Sequence, residues 1–255
     1  MILVIDIGNT NIVVGCIEGE HTYFTERMAT DKKRTELEYA IALKNVLELY
    51  NIVPDQMEGG IISSVVPPLT QCIKHAAEKL LRKNIKVVGP GLKNGLRIKT
   101  DNPAQLGSDQ VVNAVAALAG YKPPLIIVDM GTATTVSVIN HEGAYIGCLI
   151  MPGLRIATES LVSHTAQLTQ IGLEIPKKLI GSNTIDCMKS GALFGHAAAI
   201  DGLIPRIEEE LGRKCTVVAT GGLARLVVPL CKSRIFLEDD LLLKGLQIIY
   251  HKNML

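Results

Sequence analysis

One pattern occurs twice in this chain and restricts its fold more than any other feature. ILVIDIGNTNIVVG runs from Ile2 to Gly15, and LIIVDMGTATTVSV runs from Leu125 to Val138. In each, four apolar residues lead to an aspartate, then a glycine, then short polar residues, then a second apolar run. Asp129 matches Asp6 and Gly131 matches Gly8, 123 residues further on. Each stretch reads as two strands joined by a tight turn. A single Asp-x-Gly is unremarkable. Two of them, each inside apolar strands and each followed by a further strand and helix series, point to an internal duplication. The expected class is α/β, with two related halves at residues 1–117 and 118–255.

The intervening segments fit that plan. Ile2 to Ile5, Ile12 to Ile17 and Tyr23 to Met28 read as strands. Thr35 and Glu38 have capping-box spacing, and Leu37, Ala40, Ile41, Leu47 and Tyr50 fit one face of the following helix. Gly60 to Val66 reads as a strand ended by Pro67-Pro68, with a helix from Leu69 to Leu80 and a short strand at Lys86 to Val88. In the second half, Leu125 to Val128 and Thr135 to Ile139 form the hairpin, and Ala144 to Ile150 extends it. Leu193 to Leu211 marks a long helix, and Cys215 to Ala219 a strand that runs into Thr220-Gly221-Gly222.

Bulk properties exclude several classes. Apolar residues make up 47% and charged residues 20%, so a packed core is readily supported. Net charge is +1 with no dense basic run, which argues against a nucleic-acid partner. The basic cluster Lys32-Lys33-Arg34 reads as a solvated loop before a helix. The six cysteines are scattered without metal-ligand spacing and read as reduced thiols of a cytosolic, cytoplasmic protein. The first apolar run is too short to span a membrane, lacks a basic leader and contains Asp6, so neither a signal peptide nor a membrane anchor is expected.

The chemistry of the aspartate hairpin follows from its residue types. A glycine in a tight turn allows close backbone approach and positive φ. Asn9, Thr10 and Asn11 add short polar groups, and successive backbone amides make a concavity suited to phosphate oxygens. A carboxylate beside bare phosphate is repulsive; with Mg²⁺ between them it is favourable. Asp6 with Gly8 to Asn11 is therefore coherent as an Mg-nucleotide site, and Asp129 with Thr132 and Thr134 repeats the arrangement. The residues alone leave a second role open, in which each aspartate only caps its turn. No GxxxxGK[ST] and no GxGxxG after a strand is present, so any nucleotide is held by another device.

DIGNTN, DMGTATT and TGGLA together resemble the acetate/sugar kinase, Hsp70 and actin superfamily. SSVVPPL (Ser63 to Leu69), VVGPGLKNGL (Val87 to Leu96), DNPAQLGSDQVVNAVAAL (Asp101 to Leu118), MPGLRIATESL (Met151 to Leu161) and LLLKGLQIIY (Leu241 to Tyr250) narrow the resemblance to type III pantothenate kinases, in order along essentially the whole chain. That resemblance implies two ribonuclease-H-like (actin-like ATPase) domains with an active-site cleft between them. It implies a homodimer whose dimerisation helix lies in the second lobe. It also implies ATP-dependent phosphorylation of pantothenate to 4'-phosphopantothenate, the first step of coenzyme A synthesis, with Mg²⁺ and a monovalent cation, K⁺ or NH₄⁺. On the matching positions, Asp6, Ile7, Gly8, Asn9, Thr10, Asn11, Ile12 and Val13 hold the ATP phosphates, joined by Thr132. Gly221 and Gly222 lie near the nucleoside. Asp129 and Asp6 are metal ligands, Asp129 for the monovalent cation. Asp109 is the base that receives the hydroxyl proton, and Thr100, Gly107, Ser108, Gln110 and Thr184 line the acceptor site.

From the residues alone, Ser108 or Asp109 could equally cap the helix that Val111, Val112, Ala114, Val115 and Leu118 define. A carboxylate at that N-terminus is expected to stay ionised. Two positions depart from the family pattern. Gln110 stands where Arg is usual, which removes a rigid positive fork, and Thr100 stands where Tyr is usual. Both belong to the acceptor half of the site. They leave open a kinase of another small alcohol, a regulatory paralogue that binds nucleotide without turnover, or recovery of the lost charge by Arg155 or Lys189.

Overall fold

The computed structural model describes residues 1–254. In chain order its elements are β1 (Ile2–Ile7), β2 (Asn11–Glu18), β3 (His21–Ala29), α1 (Glu36–Leu49), β4 (Gly59–Ser64), α2 (Pro67–Leu81), β5 (Ile85–Val87), β6 (Arg97–Ile98) and α3 (Ser108–Gly120). Then follow β7 (Leu125–Met130), β8 (Ala133–Ile139), β9 (Ala144–Pro152), α4 (Leu154–Ser163), α5 (Thr184–Leu211), β10 (Thr216–Thr220), α6 (Ala224–Val227), β11 (Phe236–Leu237) and α7 (Leu241–Lys252). The chain divides into two compact units. Unit 1 holds Met1–Leu96, Asn102–Ala116 and the C-terminal segment from Leu241; unit 2 holds Arg97–Asp101 and Ala117–Asp240.

Unit 1 is built on a five-stranded sheet ordered β3-β2-β1-β4-β5. β1 is antiparallel to β2 and parallel to β4. Alternation along β1 sorts its side chains to two faces. Leu3, Ile5 and Ile7 join α1 and α2 in one core cluster, while Ile2 and Val4 join α3 and α7 in another. Asp6 follows the parity of Ile2 and Val4 and so lies on the α3 side. Fully burying an aliphatic side chain of this kind contributes about 1.5–3 kcal/mol, so the sheet is fixed from both faces. α1 begins with the expected capping box: Glu38 N donates to Thr35 Oγ1 and Thr35 N donates to Glu38 Oε2. Pro67 and Pro68 do not close the strand, which already ends at Ser64; they form the first turn of α2, where a missing N–H costs nothing.

Unit 2 contains the strand order β11-β10-β7-β8-β9-β6. Read from β9, the order β9-β8-β7-β10-β11 has the same connectivity and strand directions as unit 1, with β6 added at the edge. The duplication expected from the two aspartate stretches is therefore present as topology, and the fold is a pair of ribonuclease-H-like units. Ile126, Val128, Met130, Val136 and Val138 form the core with Leu154 of α4 and Leu193, Ala197, Ile200, Ile204 and Ile207 of α5.

The division departs from the expected halves 1–117 and 118–255 at two places: Arg97–Asp101, which carries β6, belongs to unit 2, and the segment from Leu241 belongs to unit 1. The segment from Leu241 was assigned to the second lobe, but Leu243, Leu246, Ile249 and Tyr250 of α7 pack with Ile2 and Val4 in unit 1. A closing helix that crosses back to the first sheet leaves no periodic signal to show which sheet it covers. The six cysteines are all free thiols. Among the described residues, no helix is long and apolar enough to cross a membrane.

Candidate active site

In unit 1 the polar residues gather at the carboxyl ends of β1 and β4. Asp6 is the Cα partner of Ser63 in the parallel β1–β4 ladder. Both follow the parity that faces α3. Ser63 is fully buried, and its hydroxyl shares a 3.0 Å hydrogen bond with Ser108 Oγ at the start of α3. Ser108 Oγ also accepts from Ser64 N at 3.0 Å and donates to the Ser64 carbonyl at 3.0 Å. The end of β4 and the start of α3 are thus stitched by one hydroxyl, and the next residue is Asp109. The structure brings Asp6 and Asp109 to one end of one sheet through this Ser63–Ser108 link.

Asp109 is half-buried. Its Oδ1 accepts from Gln110 N at 2.8 Å, a first-turn amide with no helical partner. Any Cβ on Gly107 would collide with that same oxygen, so glycine at 107 allows the carboxylate to fold back over the helix start. Burial pushes the Asp109 carboxyl above the ordinary aspartate value, outweighing the hydrogen bonds from Gln110 N and its own amide. Desolvation is the larger effect here. Capping also belongs to Asp109 alone, because the Ser108 hydroxyl is committed to β4.

The β1–β2 turn is held from the side by Thr30. Thr30 Oγ1 donates to the Gly8 carbonyl at 2.6 Å, and Thr30 N donates to the Thr10 carbonyl at 3.0 Å. Gly8 N donates to the Asn11 carbonyl at 3.0 Å. Asn9, Thr10 and Asn11 are exposed at the tip and Val13 is half-buried. Gly8 does not take a positive φ, contrary to expectation; a Cβ there would instead press on the Asn11 carbonyl at 3.0 Å. Ile7 and Ile12 bury their side chains completely in the core, so anything they offer a ligand comes from backbone.

In unit 2 two glycines pack closely against the second aspartate hairpin, one at Asp129 and one at the turn that follows it. Asp129 pairs with Thr220 across the parallel β7–β10 ladder. Gly221, the next residue, has φ +97°, and a Cβ on it would lie 2.6 Å from Asp129 Oδ1 and from Met130 N. Only glycine fits both the backbone and the space. Gly153 precedes α4, and a Cβ there would overlap the Thr132 carbonyl and lie 2.6 Å from the Gly131 carbonyl. The Gly131-Thr132 turn is therefore wedged against the start of α4, with Thr132 exposed. Gly222 is exposed beside Gly221.

Other residues fall outside these clusters. Thr100 is in unit 2 and Gln110 in unit 1; both are half-buried. The Thr100 hydroxyl is buried and has no hydrogen-bond partner among the described residues. Thr184 is the exposed first residue of α5, while Asn183 is its cap, accepting from Asp186 N at 2.9 Å. Lys189 is engaged by Glu174 at 2.7 Å, whereas Arg155 is exposed in the first turn of α4. Sequence reasoning missed Thr30, Gly153 and the serine stitch. Only the serines had a visible signal, since Ser63 and Ser64 end an apolar strand in register with Asp6.

A family model described as type III pantothenate kinase matches residues 2–206. A type III pantothenate kinase from an Exiguobacterium species is 43% identical over 253 residues, covering 99% of each chain. One from Halalkalibacterium halodurans is 41% identical over 254 residues and covers 100% of both. Among solved structures, component A of the (R)-2-hydroxyglutaryl-CoA dehydratase of Acidaminococcus fermentans superposes with a TM-score of 0.56 at 14% identity, covering 97% of this chain and 96% of that one. A Campylobacter jejuni protein described as a Baf family transcriptional activator gives 0.57 at 18%, covering 99% and 98%. These structural likenesses establish the actin-like ATPase fold alone.

Proposed function

This chain belongs to the type III pantothenate kinase family, and on that premise we propose that it transfers the γ-phosphoryl group of ATP to pantothenate, giving 4'-phosphopantothenate for coenzyme A synthesis. The observation that carries the proposal is the Asp6–Ser63–Ser108–Asp109 chain at one end of the first sheet. It ties the end of β4, in register with Asp6, to the start of α3, which carries the half-buried Asp109. Phosphoryl transfer needs positioning and charge neutralisation more than covalent chemistry.

In this reading Asp109 orients the pantothenate hydroxyl and accepts its proton as the new oxygen–phosphorus bond forms and the bond to ADP breaks. The turn from Asp6 to Val13 and the Thr132 turn serve the phosphates, and Gly221 and Gly222 serve the nucleoside. Thr100, Gly107, Gln110 and Thr184 serve the acceptor, while Ser108 acts through β4. Mg²⁺ fits beside Asp6 because the carboxylate stands next to an exposed polar turn, and the cation would neutralise phosphate charge when bound. Among the described residues no group of three or more acidic, His or Cys side chains forms a protein-only metal cage. The remaining ligands would come from phosphate and water. K⁺ or NH₄⁺ fits Asp129, whose oxygen is held against Gly221. We further propose a cytoplasmic homodimer.

A second reading, a kinase for another small alcohol, is favoured by the make-up of the acceptor set. Gln110 and Thr100 stand in the acceptor set, the Thr100 hydroxyl has no partner among the described residues, and Lys189 is already paired with Glu174. Initial rates with pantothenate and with other small alcohols, each with MgATP, separate the two. Saturable pantothenate-dependent ADP release supports the first reading, and release with another alcohol but not pantothenate supports the second.

A further inference from the structure

Thr134 and His196 form a polar contact in the core of unit 2 that the proposed chemistry does not use directly. Thr134 is the β8 residue that pairs with Met130 and closes the hairpin directly beneath the Gly131-Thr132 turn. It is almost completely buried. Its parity matches Val136 and Val138, so its side chain faces α5, whereas Asp129 follows the parity of Leu125 and Ile127 on the opposite face. On α5, His196 lies between Leu193 and Ala197, and its Nε2 is 3.0 Å from Thr134 Oγ1. Burial holds the imidazole below its ordinary pKa, with no charged neighbour contributing. A neutral ring accepts from the Thr134 hydroxyl or donates to it, according to tautomer.

An apolar pair of the same size would fill this core with no polar group to satisfy. A single hydrogen bond instead fixes the rotation of Thr134, and hence the tip of the hairpin, relative to α5. We infer that His196 is a positioning residue for the second aspartate hairpin, holding Thr134 so that Asp129 and Thr132 keep their places toward the nucleotide and its cation. His196 reaches neither group itself, because Thr134 points away from Asp129's face. The inference rests on the assignment of this hairpin to MgATP and the monovalent cation.

The test uses His196→Leu, His196→Gln and Thr134→Val in the full chain, with MgADP binding by calorimetry and steady-state KM for MgATP, kcat and K⁺ activation. Removing one buried hydrogen bond at this point should raise the MgADP Kd and the MgATP KM about tenfold in His196→Leu and Thr134→Val. It should leave kcat at saturation within about twofold, and His196→Gln, which restores a donor and acceptor, should recover most of the loss. The double variant should be no worse than either single one. A merely structural histidine would lower the melting temperature and the active fraction while leaving KM and Kd unchanged, and that result overturns the inference. Calorimetry needs no acceptor. Unchanged MgADP binding in the variants defeats the role of His196 alone, whereas absent pantothenate turnover by the parent protein defeats only the acceptor assignment.

Discussion

Replacing Asp109 with asparagine separates activity from stability in opposite directions. Asparagine is nearly isosteric and its Oδ1 can keep the 2.8 Å bond from Gln110 N that the carboxylate makes. The substitution therefore leaves the helix start capped, and the hydrogen-bond ledger changes by less than about 1 kcal/mol. What it removes is a negative charge whose protonation the fold favours, since burial raises the Asp109 carboxyl above its ordinary value. The sign follows from linkage. A carboxyl raised in the folded state favours folding fully at pH below its unfolded value, and that benefit is lost as pH rises through the folded value. Near neutrality the wild-type aspartate is thus a cost, and Asp109→Asn should melt at the same temperature or higher, with its advantage growing as pH rises through that window. Activity should fall in contrast. Loss of a positioned base costs about 10²–10⁴-fold, or about 2.7–5.5 kcal/mol of barrier. The assay pair is coupled ADP release and thermal unfolding across pH. A variant that melts well below wild type near neutrality, or that keeps more than a tenth of wild-type kcat, refutes the reasoning.

Other consequences are more local. Gly221→Ala forces an L side chain to φ +97° and against Asp129 Oδ1, at about 2–5 kcal/mol, so its melting temperature should fall by several degrees and K⁺ activation should weaken; wild-type behaviour on both counts would contradict the close packing of Gly221 against Asp129. Thr30→Val removes the 2.6 Å donor to the Gly8 carbonyl and should raise the MgATP KM several-fold with little change in kcat, read from initial rates. In wild type the acidic limb of kcat/KM should lie above the range of an ordinary aspartate, because the base must be ionised and its carboxyl is raised. The pH profile checks this, and the limb should vanish in Asp109→Asn residual activity. Sedimentation should give about twice the monomer mass; a clean monomer would contradict the proposed dimer.

The fold was legible where local chemistry repeats. Asp6 and Asp129, each followed by glycine and polar residues, exposed the duplication because strands buried on both faces read as apolar runs on either side of the break. Thr35 and Glu38 announced α1 through contacts three residues apart. What stayed hidden depends on contacts between distant segments. α7 covers the first sheet although it follows the second in sequence, and no period of 3.6 residues states its partner. Ser108 resembles a helix cap until β4 arrives to take its hydroxyl. His196 resembles any core histidine, because its partner Thr134 is 62 positions away in the chain. Gly8 and Gly131 look like positive-φ glycines and are not, while Gly221 carries a positive φ and also has no room for a Cβ beside Asp129. The upward shift of the Asp109 carboxyl stayed hidden for the same reason: a helix N-terminus is visible in sequence, but the burial that raises the carboxyl is not.

The most direct measurement is ADP release by the purified chain with MgATP and K⁺, with pantothenate present or omitted and the product identified by mass. The account predicts release that requires pantothenate, yields 4'-phosphopantothenate in equal amount, and is lost in Asp109→Asn. Release that ignores pantothenate, or nucleotide binding without any turnover, would contradict it.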